Sequence, residues 1–244
     1  MTGSGDPAFR IYLLAGQSNM AGRGVVGEED RGVHPRVWAL DRMARWVPAR
    51  EPLHFDKPTI AGVGPGFAFG KSVAERYPDD QVGLVPCAVG GSPIRSWVPG
   101  GYWEQTKSHP YDDAIARTRK ALERGVLSGI LWHQGESDSN EQEAGLYHDR
   151  LVDLIRRLRA DLDAPEAPFI AATLGDFVVA RNPWAERVNH VLRGLPDVVP
   201  WTACVEVEGL GHGGDDLHFD AASARTLGHR YAEAIICLQE GADG

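Results

Sequence analysis

The stretch that decides the fold is "FRIYLLAGQSNMAG", residues 9–22. From Ile11 to Ala15 every residue is apolar, and the run stops at Gly16-Gln17-Ser18-Asn19. A continuous apolar run of this length fits a strand buried on both faces, as in a parallel sheet covered by helices, better than a half-exposed strand, which would alternate. Four further segments share the pattern: 81–86 (QVGLVP), 128–133 (SGILWH), 168–174 (PFIAATL) and 198–205 (VVPWTACV). Between them, segments at 66–77, 111–124, 143–162, 184–195 and 221–239 place their apolar residues at helical spacing, as in Tyr147, Leu151, Leu154, Ile155, Leu158 and Leu162. Strand and helix alternate about five times, which predicts an α/β fold, a three-layer α/β/α sandwich around a central parallel sheet of about five strands.

The 244 residues are enough to bury a full core, and no repeat or composition break suggests more than one domain; residues 1–9 and 240–244 are expected to be peripheral tails. A formal net charge of −9 argues against nucleic acid as a partner, because a phosphate-tracking surface needs clustered Lys and Arg. No apolar run approaches the length of a membrane span, and "MTGSGDPAFR" lacks the basic-then-apolar design of a signal peptide. These features point to a cytoplasmic protein. The three cysteines, Cys87, Cys204 and Cys237, form no CxxC pair; Cys87 and Cys204 read as buried free thiols. The segment 23–65, rich in Gly, Pro and charge, reads as a long excursion after the first strand, with Trp38, Asp41 and Trp46 as a candidate wall of a site.

In an open parallel sheet, ligands bind beyond the carboxyl ends of the strands. The residues found there are Gln17-Ser18-Asn19, Gly90-Gly91-Ser92, His133-Gln134-Gly135-Glu136 and, after a Gly-rich bend, Asp215-Asp216-Leu217-His218. A serine hydroxyl becomes nucleophilic when a base accepts its proton, and a carboxylate on the far nitrogen of a His base fixes its tautomer. Ser18, His218 and Asp215 supply those types, and the amides of Ser18, Gly90 or Gly91 and the side chain of Gln134 supply candidate donors to an oxyanion. Taken singly, Ser18 reads first as a helix cap, and Gly90-Gly91 still more as a tight turn; the combination of four polar clusters at four strand ends is what favours chemistry. Gln17 and Asn19 are expected to hold the turn. Arg95 and Trp97 are candidate substrate contacts, although Trp97 would serve equally as packing under its loop. His212, Asp215, Asp216 and His218 are crowded enough to suggest a metal, a reading that leaves the Ser, Gly and Gln clusters without a role. "GVGPGFAFG" (62–70) mimics a dinucleotide loop but follows no strand.

"GQSNM", "GGSPIRSW", "WHQGESD" and "DDLHF", in this order, resemble the SGNH hydrolase superfamily, and within it the sialate O-acetylesterase-like branch that includes carbohydrate esterase family six. The resemblance implies a flavodoxin-like fold and cofactor-free, metal-independent removal of acetyl groups from an acetylated sugar or oligosaccharide. It also implies Ser18 as nucleophile, His218 as base, and Gly91 and Gln134 beside the Ser18 amide as the oxyanion hole. The acid is Asp215 by the Asp-x-x-His block, with Glu136 as the alternative. A general short-chain carboxylesterase, a non-catalytic carbohydrate-binding relative and a metal-dependent hydrolase are the rival readings.

Overall fold

The computed structural model describes residues 8–241. Seven strands form one sheet, β1 (Phe9–Gly16), β2 (Val37–Leu40), β3 (Trp46–Pro48), β4 (Gln81–Pro86), β5 (Val126–His133), β6 (Phe169–Ala172) and β7 (Thr202–Val205), in the order β3-β2-β4-β1-β5-β6-β7. All neighbours are parallel except the β2–β3 hairpin. The fold class is as expected, but the strand count rises from five to seven. Both extra strands lie in the 23–65 excursion, where Val37–Leu40 is too short for its burial to be read from pattern. Asp41 turns that hairpin by accepting from the N–H groups of Met43 and Arg45, Trp38 donates to Gln81, and Trp46 packs edge-on against Phe9. None of the three walls the cleft described below, which corrects their expected role.

Eight helices cover the sheet: α1 (Ser18–Ala21), α2 (Pro65–Arg76), α3 (Pro110–Leu122), α4 (Glu141–Ala144), α5 (Tyr147–Asp161), α6 (Asp176–Arg181), α7 (Pro183–Val198) and α8 (Ala221–Glu240). β1 shows why both faces are apolar. Ile11, Leu13 and Ala15 pack with α3, α5 and α7 on one side, while Tyr12 and Leu14 pack with α2 and α8 on the other. The helix expected over 143–162 is split by Gly145, and α7 runs to Val198, so the last strand starts four residues later than its apolar run suggested. Pro65 opens α2 at its first turn, which accounts for "GVGPG" as a helix start. Phe9, expected in a tail, is buried in β1; the rest of the expected tails lies largely outside the described residues. Cys87 is buried, whereas Cys204 is only half-buried. Among the described residues no helix is long and apolar enough to cross a membrane.

The chain leaves β1 toward β2–β4 on one side and later builds β5–β7 on the other, so β1 marks the point where the strand order reverses. Such a point opens a crevice at the carboxyl ends of the strands. Two tyrosines buttress the β5 edge from opposite faces: Tyr231 on α8 donates to Trp132 O at 2.7 Å and Tyr147 on α5 donates to Gln134 O at 2.8 Å.

Helix α8 lies against the start of α2 closely enough that a Cβ on Gly228 would stand 2.3 Å from the Pro65 carbonyl oxygen. Alanine gains up to about 1 kcal/mol of helix propensity over glycine, but a clash with backbone cannot be relieved by a rotamer change and costs about 1–3 kcal/mol. Gly228→Ala is therefore expected to lower the denaturant midpoint in an equilibrium unfolding experiment; an unchanged or raised midpoint would mean the α2–α8 contact is looser than described.

Candidate active site

Gly16 ends β1 with φ of +125°, and a Cβ there would meet the His133 carbonyl oxygen at 2.1 Å. Only glycine accommodates both the backbone angle and the close approach to β5. Gln17 N–H then donates to that same carbonyl at 2.8 Å, and the chain turns into α1 with Ser18 as its first residue. Ser18 is 7 % exposed and opens onto a cleft of about 280 Å³ lined by Gln17, Arg23, Lys57, Gly90, Gly91 and His218, among others.

His218 reaches Ser18 from the loop between β7 and α8. Its Nε2 lies 3.0 Å from Ser18 Oγ and its Nδ1 2.6 Å from Asp215 Oδ2. Asp215 Oδ1 accepts the N–H groups of Leu217 (3.0 Å) and His218 (2.8 Å), so the loop folds around its own carboxylate. Desolvation pushes this carboxyl up, but those two N–H groups and the His218 ring outweigh it and hold it down, at about 2. Asp216 turns the other way at φ +54° and pairs with Arg181 and His212. Among the described residues, no group of three or more His, Cys, Asp or Glu side chains is arranged to hold a metal ion.

The loop is fastened by Asn19. Its Oδ1 accepts Phe219 N–H at 3.1 Å, and its Nδ2 donates to Leu217 O at 3.0 Å and to Glu136 Oε1 at 2.6 Å. The residue after the serine thus holds the residues on both sides of His218. Glu136 bonds to Asn19 and makes no hydrogen bond to His218, which corrects its reading as the alternative orienting acid; it supports the His loop through Asn19.

The donors around the cleft also differ from expectation. Gln134 is fully buried, and its Nε2 faces Gln17 Oε1 (3.1 Å), Ser92 O (3.2 Å) and Asp138. Its amide hydrogens point into the protein, so the structure does not bring it to the oxyanion position expected of it. Gln17 lines the cleft instead. Its Oε1 accepts from Gln134 and from the N–H groups of Gly135 (3.5 Å) and Ser137 (3.3 Å). Backbone N–H groups only donate, so this fixes which end of the Gln17 amide is oxygen. Gln17 Nε2 has no partner among the described residues, and the residue lines the cleft. Sequence reasoning gave Gln17 only the turn; the signal available was that one amide can do both jobs at once. Of the glycine pair, Gly90 N–H is spent on Asp56 Oδ2 at 2.8 Å, while Gly91, at φ +78° on the cleft wall, directs its N–H to no group among the described residues; the same holds for Ser18 N–H.

Trp97 is fully buried, donates to Ser92 Oγ at 3.0 Å and packs edge-on against Trp132, so it cannot touch a substrate. Arg95 is exposed and lies outside the residues that line the cleft. Their places on the wall are taken by Arg23, Lys57 and Ile60 from the long excursion. Arg23 donates to Asp56 Oδ2 at 2.7 Å, a nearly fully buried pair, and Lys57 Nζ donates to Gln105 Oε1 at 3.0 Å.

Burial lifts the Glu136 carboxyl to about 7, only partly offset by its bond from Asn19. Between its unfolded value near 4.5 and about 7, the folded protein holds a proton that the unfolded chain releases, so this group costs stability as pH rises through that window. Glu136→Gln keeps an acceptor for Asn19 and removes the titration. Its melting temperature relative to the native protein is expected to rise between pH 5 and pH 8; a pH-independent difference would contradict the buried-acid assignment.

Comparison with known proteins identifies the family. The model of the family described as "Carbohydrate esterase, sialic acid-specific acetylesterase" matches residues 8–237. A probable carbohydrate esterase of Arabidopsis thaliana, At4g34215, is 33 % identical over 253 residues, covering 94 % of this chain and 91 % of the relative. The crystal structure of that Arabidopsis protein superposes with a TM-score of 0.83 at 32 % identity, over 94 % of this chain and 98 % of the other. NanS (TM-score 0.77, 18 % identity, 97 % and 99 % covered) and XAC1771, a carbohydrate acetylesterase from Xanthomonas citri (0.73, 20 %, 95 % and 57 %), share the fold. With a serine, a histidine and a carboxylate in line at the carboxyl edge of the sheet, and a family match over nearly its whole length, the chain belongs to the sialic acid-specific acetylesterase family of carbohydrate esterases.

Proposed function

We propose that the protein removes acetyl groups from O-acetylated carbohydrates through an acetyl-serine intermediate on Ser18. The observation that carries this is the Asp215–His218–Ser18 line, with 2.6 Å and 3.0 Å contacts on the two ring nitrogens. His218 Nε2 takes the Ser18 Oγ proton as Oγ attacks the acetyl carbonyl carbon. The carbonyl π electrons move to oxygen, and the oxyanion is met by the N–H groups of Ser18 and Gly91 and by Gln17 Nε2. The intermediate collapses, the sugar oxygen leaves, and the imidazolium returns the proton to it. Water then attacks the acetyl-serine, with the same base accepting its proton, and acetate departs. Asp215, ionised throughout the neutral range, holds Nδ1–H and stabilises the imidazolium.

The cleft lining sets the polar groups of Gln17, Arg23, Lys57 and Ser137 beside apolar Ile60 and Leu217, which supports a leaving group that carries both hydroxyls and an apolar ring face. The assignment is tested with acetylated sugars and with chromogenic acetyl and butyryl esters, with and without a chelator. The native protein is expected to prefer acetyl and to ignore the chelator. Ser18→Ala is expected to lose about 10³-fold or more in kcat/KM, and Asp215→Asn about 10²–10⁴-fold, as when the orienting carboxylate of a triad is neutralised. Activity surviving in Ser18→Ala, or abolished by the chelator, would overturn the reading.

Gln17→Glu separates the two amide ends. It keeps the oxygen that Gly135 and Ser137 need and puts a negative oxygen where the oxyanion forms. A fall in kcat of about 10²–10³-fold, with KM little changed, is expected from the loss of one such donor. A native kcat in this variant would remove Gln17 from the oxyanion hole.

A further inference from the structure

A second cavity of about 470 Å³, larger than the cleft at Ser18, lies directly beside it. The chain passes from one to the other at two places, and a third segment bridges them. Asp56 lines the cavity and Lys57 the cleft; Val89 lines the cavity and Gly90 the cleft; Thr106 lines the cavity, and Gln105 before it holds Lys57 on the cleft side. The two linings are therefore adjacent along the chain, and the Gly90–Asp56 and Lys57–Gln105 bonds tie the ridge between them.

We propose that this cavity is a subsite for the sugar residue next to the acetylated one, so that the enzyme works on oligosaccharides that lie across the Asp56–Gly90 ridge. The inference rests on the acetyl-carbohydrate reading above. The lining suits a polyol. Apolar Phe55, Pro86 and Val89 line it together with Arg42, Lys107 and Asp113. Donors and acceptors of both signs match hydroxyl groups, each of which gives and takes a hydrogen bond, better than they match a ligand of one charge. Arg42 and Lys107 are exposed and form no ion pair or side-chain hydrogen bond among the described residues, so both are free to turn onto a ligand. Among the lining side chains, Asp56 Oδ1, His54 Nε2 and Arg117 Nε are buried without hydrogen-bond partners among the described residues. His54 is 5 % exposed, and the Asp56 side chain is 2 % exposed.

The test compares the native enzyme with an Arg42→Ala/Lys107→Ala double variant on 4-nitrophenyl acetate and on acetylated xylose, xylobiose and xylotriose, with the matching acetylated glucose series in parallel. For the native enzyme, kcat/KM is expected to rise about tenfold from mono- to trisaccharide in at least one series, the effect of one or two added hydrogen bonds. The double variant is expected to lose that rise while keeping native rates on 4-nitrophenyl acetate and the acetylated monosaccharides. A flat length dependence in both native series, or a length dependence that survives the double variant, overturns the subsite. Failure of the underlying reading shows separately, as 4-nitrophenyl acetate hydrolysis without acetyl release from any sugar, and the subsite falls with it.

Discussion

Asn19 joins two parts of the chain that are otherwise unrelated in sequence. Through three hydrogen bonds it fixes Leu217 O and Phe219 N on either side of His218 and anchors itself on Glu136. Ser18 and His218 are 200 positions apart, and their 3.0 Å contact has to be held within a few tenths of an ångström to pass a proton. The His loop has little packing of its own: Asp215 is half exposed and glycines precede it at 211, 213 and 214. Fixing it to the residue next to Ser18 ties the position of His218 to that of Ser18.

Behind the cleft a second polar layer holds the donors in place. Gln134 and Asp138 occupy the buried end of the Gln17 amide network, and Asp138 also accepts Ile94 N–H at 2.9 Å, reaching the loop that carries Gly91. On the other side Asp56, neutralised by Arg23, accepts Gly90 N–H and so helps to set the orientation of the Gly90–Gly91 turn. Each of these side chains commits a polar atom to its neighbours, and the bonds tie the strand-end loops to one another.

The α/β architecture and the strand-end positions of Ser18, Gly91 and His218 were legible in the sequence because parallel strands buried on both faces write themselves as continuous apolar runs. Asp215 was legible because an Asp three residues before a His can fold back on it. What failed to show was which way an amide points. Gln134 and Gln17 are the same residue type at adjacent strand ends and both are buried; the backbone donors on the Gln17 oxygen and its place in the cleft lining separate them. Trp97 misled for a related reason: an aromatic after a glycine turn suits a sugar platform or a core equally, and Trp132 across the sheet end decides for the core. The short strands β2 and β3 carry too few residues for periodicity to register.

The most direct test of the central claim is to ask which atom of the protein is the activated nucleophile. A small fluorophosphonate, which phosphonylates only serines poised by a base, is incubated with the native protein and the adduct is mapped by mass spectrometry of its peptides. The account predicts a single modification on Ser18, formed with loss of fluoride, that is absent in His218→Ala. Labelling at another residue, or labelling of Ser18 at the same rate without His218, would contradict it.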